Sequence, residues 1–548
     1  MATATTTGRR IVIGLGGAAA FALVLAGCAG GSTSDGTDEG TTGGEAIIIG
    51  TTEQVTALDP ANAYDNGSFT VMNQIYPFLM NSVPGDAEVK PDIAESAEFT
   101  APNEYTVTLK EGLTFANGNE LTSSDVKFSF DRQLAIASET GPSYLLGALE
   151  SVEAPDDLTV VFTLTSENDQ TWPQVLSSPA GPIVDEEVFP ADEALSDDDI
   201  VAAQPFAGQY VIESYDFNNL ISYKANDSYD GLLGAPLTSE VNVKYYTDAS
   251  NLKLDVQEGN IDVANRTLSA TDIDDLRGND NVKVVDGPGG EIRYLVFNFN
   301  TMPYGATTPE ADPAKALAVR QAIADVIDRE AIAEQVYKGT VEPLYSYLPE
   351  GVPGATVSLR DAYGDGNGGP DVDKATAALE AAGVATPVEL NIQYVAERYG
   401  PSSGDEYAVI KDSLDSSGLF TTNIQSTEWV TYSKDRVADA YPIYQLGWFP
   451  DYADSDNYLT PFFATDNFLA NHYSNAEVDA LLKQQGSTVD TDERVALIEE
   501  IQGVVAGDLS TLPYIAFSQN AVTGTDVSGV ENTLDPTFKF RYGVITKG

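Results

Sequence analysis

The chain has a single cysteine, Cys28, so no intrachain disulfide can form, and its fold must be held by an apolar core and backbone pairing alone. Material for a core is plentiful. Of the 548 residues 42% are hydrophobic, and 27 Tyr and 21 Phe supply large side chains. That length exceeds what one core organises, so two lobes are expected.

Cys28 closes the run Leu25-Ala26-Gly27-Cys28. Before it come a basic start, Met1 to Arg10, and an uncharged stretch, Ile11 to Gly27, that ends in small residues. This is the layout of a secretory signal peptide over residues 1–27. The apolar stretch falls short of the roughly 20 residues that a membrane helix needs. In this position Cys28 resembles the modified cysteine of a bacterial lipoprotein lipobox, which implies acylation there and anchoring to the outer face of the cell membrane. A buried free thiol and a cut at another site are the alternatives. Arg9-Arg10 also hints at twin-arginine export, which Gly8 and Ile11 fit poorly, so the export route stays open. After Cys28, Ala29 to Gly44 contain only Gly, Ser, Thr, Ala and acids, so residues 28–44 read as a flexible tether. No later apolar stretch is long enough to span a bilayer, and the rest reads as one soluble body.

Acids outnumber bases 84 to 28, for a net charge of −56. Such a field repels nucleic acid and anionic lipid surfaces, and it is read here as a solvated, solubility-promoting exterior.

Short apolar strands alternate with amphipathic helices. Strands are expected at Ala46 to Thr51, Tyr105 to Lys110, Thr159 to Leu164, Tyr210 to Tyr215, Leu220 to Lys224 and Val241 to Tyr246. Others are expected at Arg293 to Asn300, Val388 to Val395, Ile443 to Gly447 and Tyr514 to Ser518. Thr122-x-x-Asp125 and Ser474-x-x-Glu477 have the form of capping boxes. Pro313 to Lys338 predicts two helices broken near Asp328, with Leu317, Ile323 and Ile327 inward and Gly339 as the stop. A further helix is expected at Asp371 to Ala382. The mixture predicts an α/β protein with two lobes.

Chemical motifs are sparse. One histidine, His472, and one cysteine remove most nucleophile–base pairs and histidine-rich metal sites. Neither a phosphate-binding glycine loop nor a G-x-S-x-G elbow occurs. His472 reads as a surface loop residue. Asp365, Asn367, Asp371 and Asp373 imitate a calcium loop, but Gly369 occupies a ligand position and no closing Glu follows, so no metal or other cofactor is assigned. Paired carboxylates are inevitable among 84 acids, and no motif marks an enzyme.

Four segments carry more information. Asp92 to Ser96 leads into Tyr105 to Gly118 and then Leu121 to Phe130. Tyr294 to Asn300 precedes Val319 to Ile332, Gly447 to Phe463 spans Gly-Trp-Phe-Pro-Asp-Tyr-Ala-Asp, and Tyr473 to Leu482 follows. In this order the segments resemble the peptide- and nickel-binding branch of extracytoplasmic solute-binding proteins (family 5), the capture subunits of ATP-driven importers, over essentially everything after the tether.

The resemblance implies a two-lobed periplasmic-binding-protein-like (type II) α/β fold that closes about a hinge. Lobe 1 would comprise residues 45–296, with an extra subdomain at about 91–205, and lobe 2 residues 297–515. Residues 516–548 would return to lobe 1. It also implies a membrane-anchored receptor that delivers short peptides to a permease and ATPase complex, as a monomer without nucleic acid. Asp451 matches the family's ammonium-pairing aspartate, and Arg398 the carboxylate-pairing arginine. A selective pocket for short peptides needs one such fixed charge of each sign. Trp448, Tyr452 and Trp429 read as apolar walls for side chains, as a stack for a sugar ring, or as core aromatics. Asp454 and Asp456 read as turn residues, and Arg320 as a structural ion-pair partner. An oligosaccharide receptor of the same fold, a secreted lipoprotein hydrolase, and a sensor or adhesin without transport remain alternatives.

Overall fold

The computed structural model describes residues 46–548 apart from Thr267 and Pro401. The segments expected to be a signal peptide (residues 1–27) and a lipidated Cys28 with its tether (residues 28–44) lie outside the described residues. Two mixed sheets dominate. The first has seven strands in the order Val282–Gly287, Gln519–Gly524, Val263–Asn265, Ile47–Thr51, Glu240–Tyr245, Leu220–Ala225 and Tyr210–Asp216. The second has six, in the order Val341–Pro343, Thr511–Phe517, Ile292–Phe297, Ile443–Trp448, Val388–Tyr394 and Phe420–Ser426. A four-stranded antiparallel sheet, Ala94–Ala101, Glu104–Leu109, Thr159–Leu164 and Leu149–Asp156, stands apart.

Each sheet has its own core. The four-stranded sheet alternates as a half-buried sheet should: Tyr105, Val107 and Leu109 point inward with Val160, Phe162 and Leu164. They pack on Phe130 and Trp172, whose rings approach Phe162 to 5.1 and 5.3 Å. In the six-stranded sheet, Ile292–Phe297 is buried on both faces, and Val319 and Ile323 of the Pro313–Val326 helix cover it. Leu317 of that helix is only partly buried; the inward row runs through Ala316, Val319 and Ile323 instead.

The ends of the elements follow from the sequence with two amendments. Thr122 and Asp125 form the expected reciprocal capping box. The second expected box is displaced: Asn475, one residue on, caps the Ala476–Ser487 helix by accepting from Glu477 N–H. Ser474 instead contacts the Thr465 hydroxyl at 2.9 Å. Arg320 donates to the main-chain carbonyl of Asp508, at 3.1 and 3.0 Å, so it caps the end of the Thr491–Asp508 helix through a carbonyl. Asp365 accepts from the N–H groups of Asn367 and Gly369, and Asp371 caps the Val372–Ala381 helix, so both carboxylates serve their own backbone. His472 meets Asp439 at 2.6 Å on the surface.

Two connections join the first and second sheets. One runs from Val282–Gly287 to Ile292–Phe297, the other from Thr511–Phe517 to Gln519–Gly524. They touch: a Cβ on Gly289 would lie 1.8 Å from the Phe517 carbonyl oxygen, so only glycine allows this approach. Phe517 N–H donates to the Glu291 carbonyl at 2.8 Å beside it.

Candidate functional site

Ile443–Trp448, Val388–Tyr394 and Phe420–Ser426 are parallel neighbours, so their carboxyl ends lie on one edge of the six-stranded sheet. The chain leaving that edge carries Asp451, Arg398 and Trp429 respectively. In α/β sheets the carboxyl edge is where ligands bind. In the seven-stranded sheet, Ile47–Thr51 and Val263–Asn265 are also parallel, and past their carboxyl ends Arg266 pairs with Glu53 at 2.9 Å. The guanidinium carbon of Arg266 lies 5.4 Å from the Phe449 ring centre and 5.1 Å from that of Phe538. Those two rings are 4.1 Å apart. Phe449 is two residues before Asp451, so the carboxyl edges of the two sheets face one another here.

Asp451 is the meeting point. Its Oδ1 accepts from the hydroxyl of Tyr64, which precedes the Asn66–Ile75 helix, and at 2.9 Å from that of Tyr144, in the Ser143–Leu146 turn. The two tyrosine rings meet edge to face at 5.3 Å. Asn457 completes the arrangement. Its Nδ2 donates to Asp451 Oδ2 at 3.2 Å, and its Oδ1 accepts from Asp451 N–H at 3.0 Å and from the Trp448 indole N–H at 2.9 Å. One buried amide thus fixes both the carboxylate and the indole.

The other expected site residues fall into distinct groups. Trp448 is half-buried against Phe462 and Phe468, at 5.1 and 6.1 Å. Tyr452 packs on the core of the four-stranded sheet. Trp429 is stacked on Tyr432 at 5.9 Å, and the exposed Arg398 lies over it, 5.3 Å from its ring centre. Arg398 and Trp429 therefore form one group, and Asp451 and Trp448 another. Asp454 receives both Nη groups of Arg494, at 2.8 and 2.7 Å. Asp456 accepts from Thr460 and Gln485. Both are committed to structure, as turn residues would be.

Behind the edge lies a buried polar network. Glu406 is fully buried and accepts from Tyr337, Tyr514 and Gln445. Removal from water raises its carboxyl above the ordinary range, against these donors and Arg293. Arg293 pairs with Glu291 and is sandwiched between the rings of Tyr399 and Phe517, at 4.4 and 4.6 Å. Tyr399 in turn accepts from Gly447 N–H at 3.1 Å, which ties the Arg398 segment to the strand leading to Asp451.

Residues 88–469 match the family model of bacterial extracellular solute-binding proteins, family 5. The chain belongs to this family. The probable D,D-dipeptide-binding periplasmic protein DdpA of Escherichia coli is 26% identical over 477 residues, 85% of this chain and 87% of that protein. Heme-binding protein A of Haemophilus influenzae is 25% identical over 525 residues, 90% and 92% of the two chains. Among solved structures, the ABC transporter substrate-binding protein CtaP of Listeria monocytogenes superposes with a TM-score of 0.76 at 23% identity, covering 92% of this chain and 99% of that one. The family 5 fold is thus the α/β fold of the solute-binding proteins. Among the described residues of this family 5 chain, no helix is long and apolar enough to cross a membrane.

Sequence reasoning missed Tyr64, Tyr144, Asn457, Arg266 and Glu53. Asn457 lies within the Gly447 to Phe463 segment and is detectable there as a polar residue on a helix that is otherwise largely apolar. Tyr64 and Tyr144 stand 387 and 307 residues from Asp451, and no local pattern links them to it.

Proposed function

We propose that this family 5 protein captures short peptides between its two sheets and delivers them to the permease and ATPase complex of an ABC importer. We further propose that it does so as a monomer held at the outer face of the membrane by a lipid on Cys28. The observation that carries the reading is Asp451: a single carboxylate, fixed by Asn457, at the carboxyl edge where segments from both sheets converge. Such a group pairs a peptide ammonium. Arg398 leaves the neighbouring parallel strand, and neighbouring strands lie about 4.8 Å apart. A peptide of two or three residues spans about 7 to 10 Å, so an arginine one strand away suits its carboxylate. Trp448, Trp429 and Tyr452 would supply apolar walls, and wet side-chain pockets would tolerate many sequences.

The two lobes of this reading would be the units built on the seven-stranded and six-stranded sheets. The four-stranded sheet would be the extra subdomain. Ile292–Phe297 pairs wholly within the six-stranded sheet and Gln519–Gly524 within the seven-stranded one, so the crossovers are proposed at 288–291 and at Ser518. The deciding experiment is thermal shift with free dipeptides and tripeptides, end-blocked forms and oligosaccharides side by side, since a ligand stabilises by RT ln(1 + [L]/Kd). Stabilisation by free peptides and much less by end-blocked ones supports the reading. Stabilisation by a sugar alone would replace it with the oligosaccharide receptor.

A further inference from the structure

The guanidinium of Arg293, a residue only 4% exposed, is enclosed by four segments. Tyr399, next to Arg398, has its ring centre 4.4 Å from the guanidinium carbon, and Phe517, the last residue of Thr511–Phe517, has its own at 4.6 Å. Glu291, in the first connection between the sheets, is the carboxylate partner of Arg293, and its carbonyl accepts from Phe517 N–H at 2.8 Å. Gly447 lies directly opposite on Ile443–Trp448. A Cβ there would stand 2.5 Å from Arg293 Nη1 and 2.9 Å from the Ile292 carbonyl oxygen, so only glycine leaves room for the guanidinium. Burial works against the charge, and Glu291, Tyr399 and Glu406 outweigh it, so Arg293 stays a cation. These contacts lie within the six-stranded sheet and its adjoining residues, and none involves the seven-stranded sheet.

The planar group of an arginine can stack on two rings while its fork holds a carboxylate; a lysine of equal charge offers neither plane nor fork. Tyr399 extends the arrangement, since its hydroxyl accepts from Gly447 N–H at 3.1 Å. The turn that bears Arg398 and the strand end that leads to Asp451 are thus held against one side chain and against each other. We propose that Arg293 is a positioning residue for the ligand: through Tyr399 and Gly447 it fixes the separation of Arg398 and Asp451, and with it the length of peptide that spans them. The inference rests on the reading of Arg398 and Asp451 as the carboxylate- and ammonium-pairing residues. One added residue lengthens an extended peptide by about 3.3 to 3.6 Å, whereas a charge-assisted hydrogen bond spans about 2.7 to 2.9 Å. A rigid pair of charges therefore tells lengths apart, and a loose pair does not.

Two conservative substitutions test this. Arg293→Lys keeps the charge and loses the plane, while Tyr399→Phe keeps the ring on Arg293 and loses only the bond to Gly447. Hydrogen–deuterium exchange without added peptide needs no assumption about the ligand. Both variants should exchange several-fold faster over residues 396–400 and 445–451, with residues 94–109 of the four-stranded sheet unchanged. Exchange at wild-type rates in both variants would overturn the positioning. If Arg293→Lys loosens the whole six-stranded sheet, Tyr399→Phe, which removes a single oxygen, decides alone. Titration calorimetry then uses di-, tri- and tetra-L-alanine as probes. Wild type should favour one length several-fold, and both variants should narrow that preference. A uniform loss at all three lengths, with the preference intact, would make both residues structural only and overturn the proposal, as would a wild type that binds all three alike. If wild type binds none of them, the peptide reading fails, and the exchange comparison still decides whether Arg293 holds the two segments.

Discussion

The Tyr144 hydroxyl donates to Asp451 Oδ1 at 2.9 Å, joining a turn beside the four-stranded sheet to a loop of the six-stranded one. The carboxylate that the family resemblance marks for ligand is therefore engaged by the protein itself. Its behaviour on substitution can be stated for the ligand and for the fold separately.

Asp451→Asn keeps the shape and removes the charge. A hydrogen bond to a charged group contributes about 1.5 to 3 kcal/mol, so affinity for a free dipeptide should fall roughly ten- to hundredfold. Wild type should prefer the free dipeptide to its N-acetylated form, and Asp451→Asn should largely lose that preference with an unchanged circular dichroism spectrum. Equal discrimination by the two proteins would remove Asp451 from the ammonium site.

Asp456 provides a pH signature. Burial, with Asp454 adding to it, pushes its carboxyl from 3.8 up to about 6, against Thr460, Arg494 and Gln485. The folded chain thus holds this proton more tightly than the unfolded chain. Its contribution to stability is complete below about pH 4 and is lost as pH rises through about 6. Asp456→Asn cannot ionise, so its melting temperature should gain on that of wild type between about pH 4 and pH 7. A gap that stays constant with pH would refute the assignment.

Arg132 and Asp59 form a two-pronged ion pair at 2.8 and 2.6 Å, with both side chains 1% exposed. Arg132 also donates to the carbonyls of Pro190 and Glu193. Arg132→Met leaves a buried carboxylate without its cation and should cost about 3 to 5 kcal/mol in urea unfolding. A loss below about 1 kcal/mol, the level of a surface pair, would mean that water replaces the guanidinium.

Gly289→Ala drives a methyl group into the Phe517 carbonyl. The connection must shift, and a loss of about 1 to 3 kcal/mol is expected. Gly503, in the Thr491–Asp508 helix, has nothing within 4 Å of its would-be Cβ, so Gly503→Ala should instead gain about 0.5 to 1 kcal/mol. Chemical denaturation of the two variants side by side tests the contrast.

Cys28→Ala tests anchoring in cells expressing the full chain. The variant should leave the detergent phase, appearing in the medium or as an unprocessed precursor. Partitioning unchanged from wild type would exclude lipidation at this position.

Much of the fold is legible where side-chain period and burial agree. Thr159–Leu164 is found end to end because every second residue is apolar and buried. Ala94–Ala101 escapes because it is an edge strand whose only fully buried residue is Ala94, so its sequence carries no alternation to read. Val263–Asn265 escapes because three residues are too few for any period. Phe420–Ser426 alternates, but its inward residues include Thr422, which hides the pattern among polar neighbours. At the site, Asp451 is visible because its local segment is distinctive. The donors to it are not, since they are brought together only by tertiary structure. Arg320 shows the same limit: its place on a helix is legible, and its partner, a carbonyl 188 residues away, is not.

Asn457 has one further consequence. Because its amide is shared between the Asp451 carboxylate and the Trp448 indole N–H, any group that takes hold of Asp451 disturbs the dipole facing that indole. The chain's other two tryptophans are placed differently, Trp172 inside the core of the four-stranded sheet and Trp429 in a stack with Tyr432. The protein accordingly contains its own optical reporter, and the emission wavelength of Trp448 is a label-free readout of what occupies Asp451.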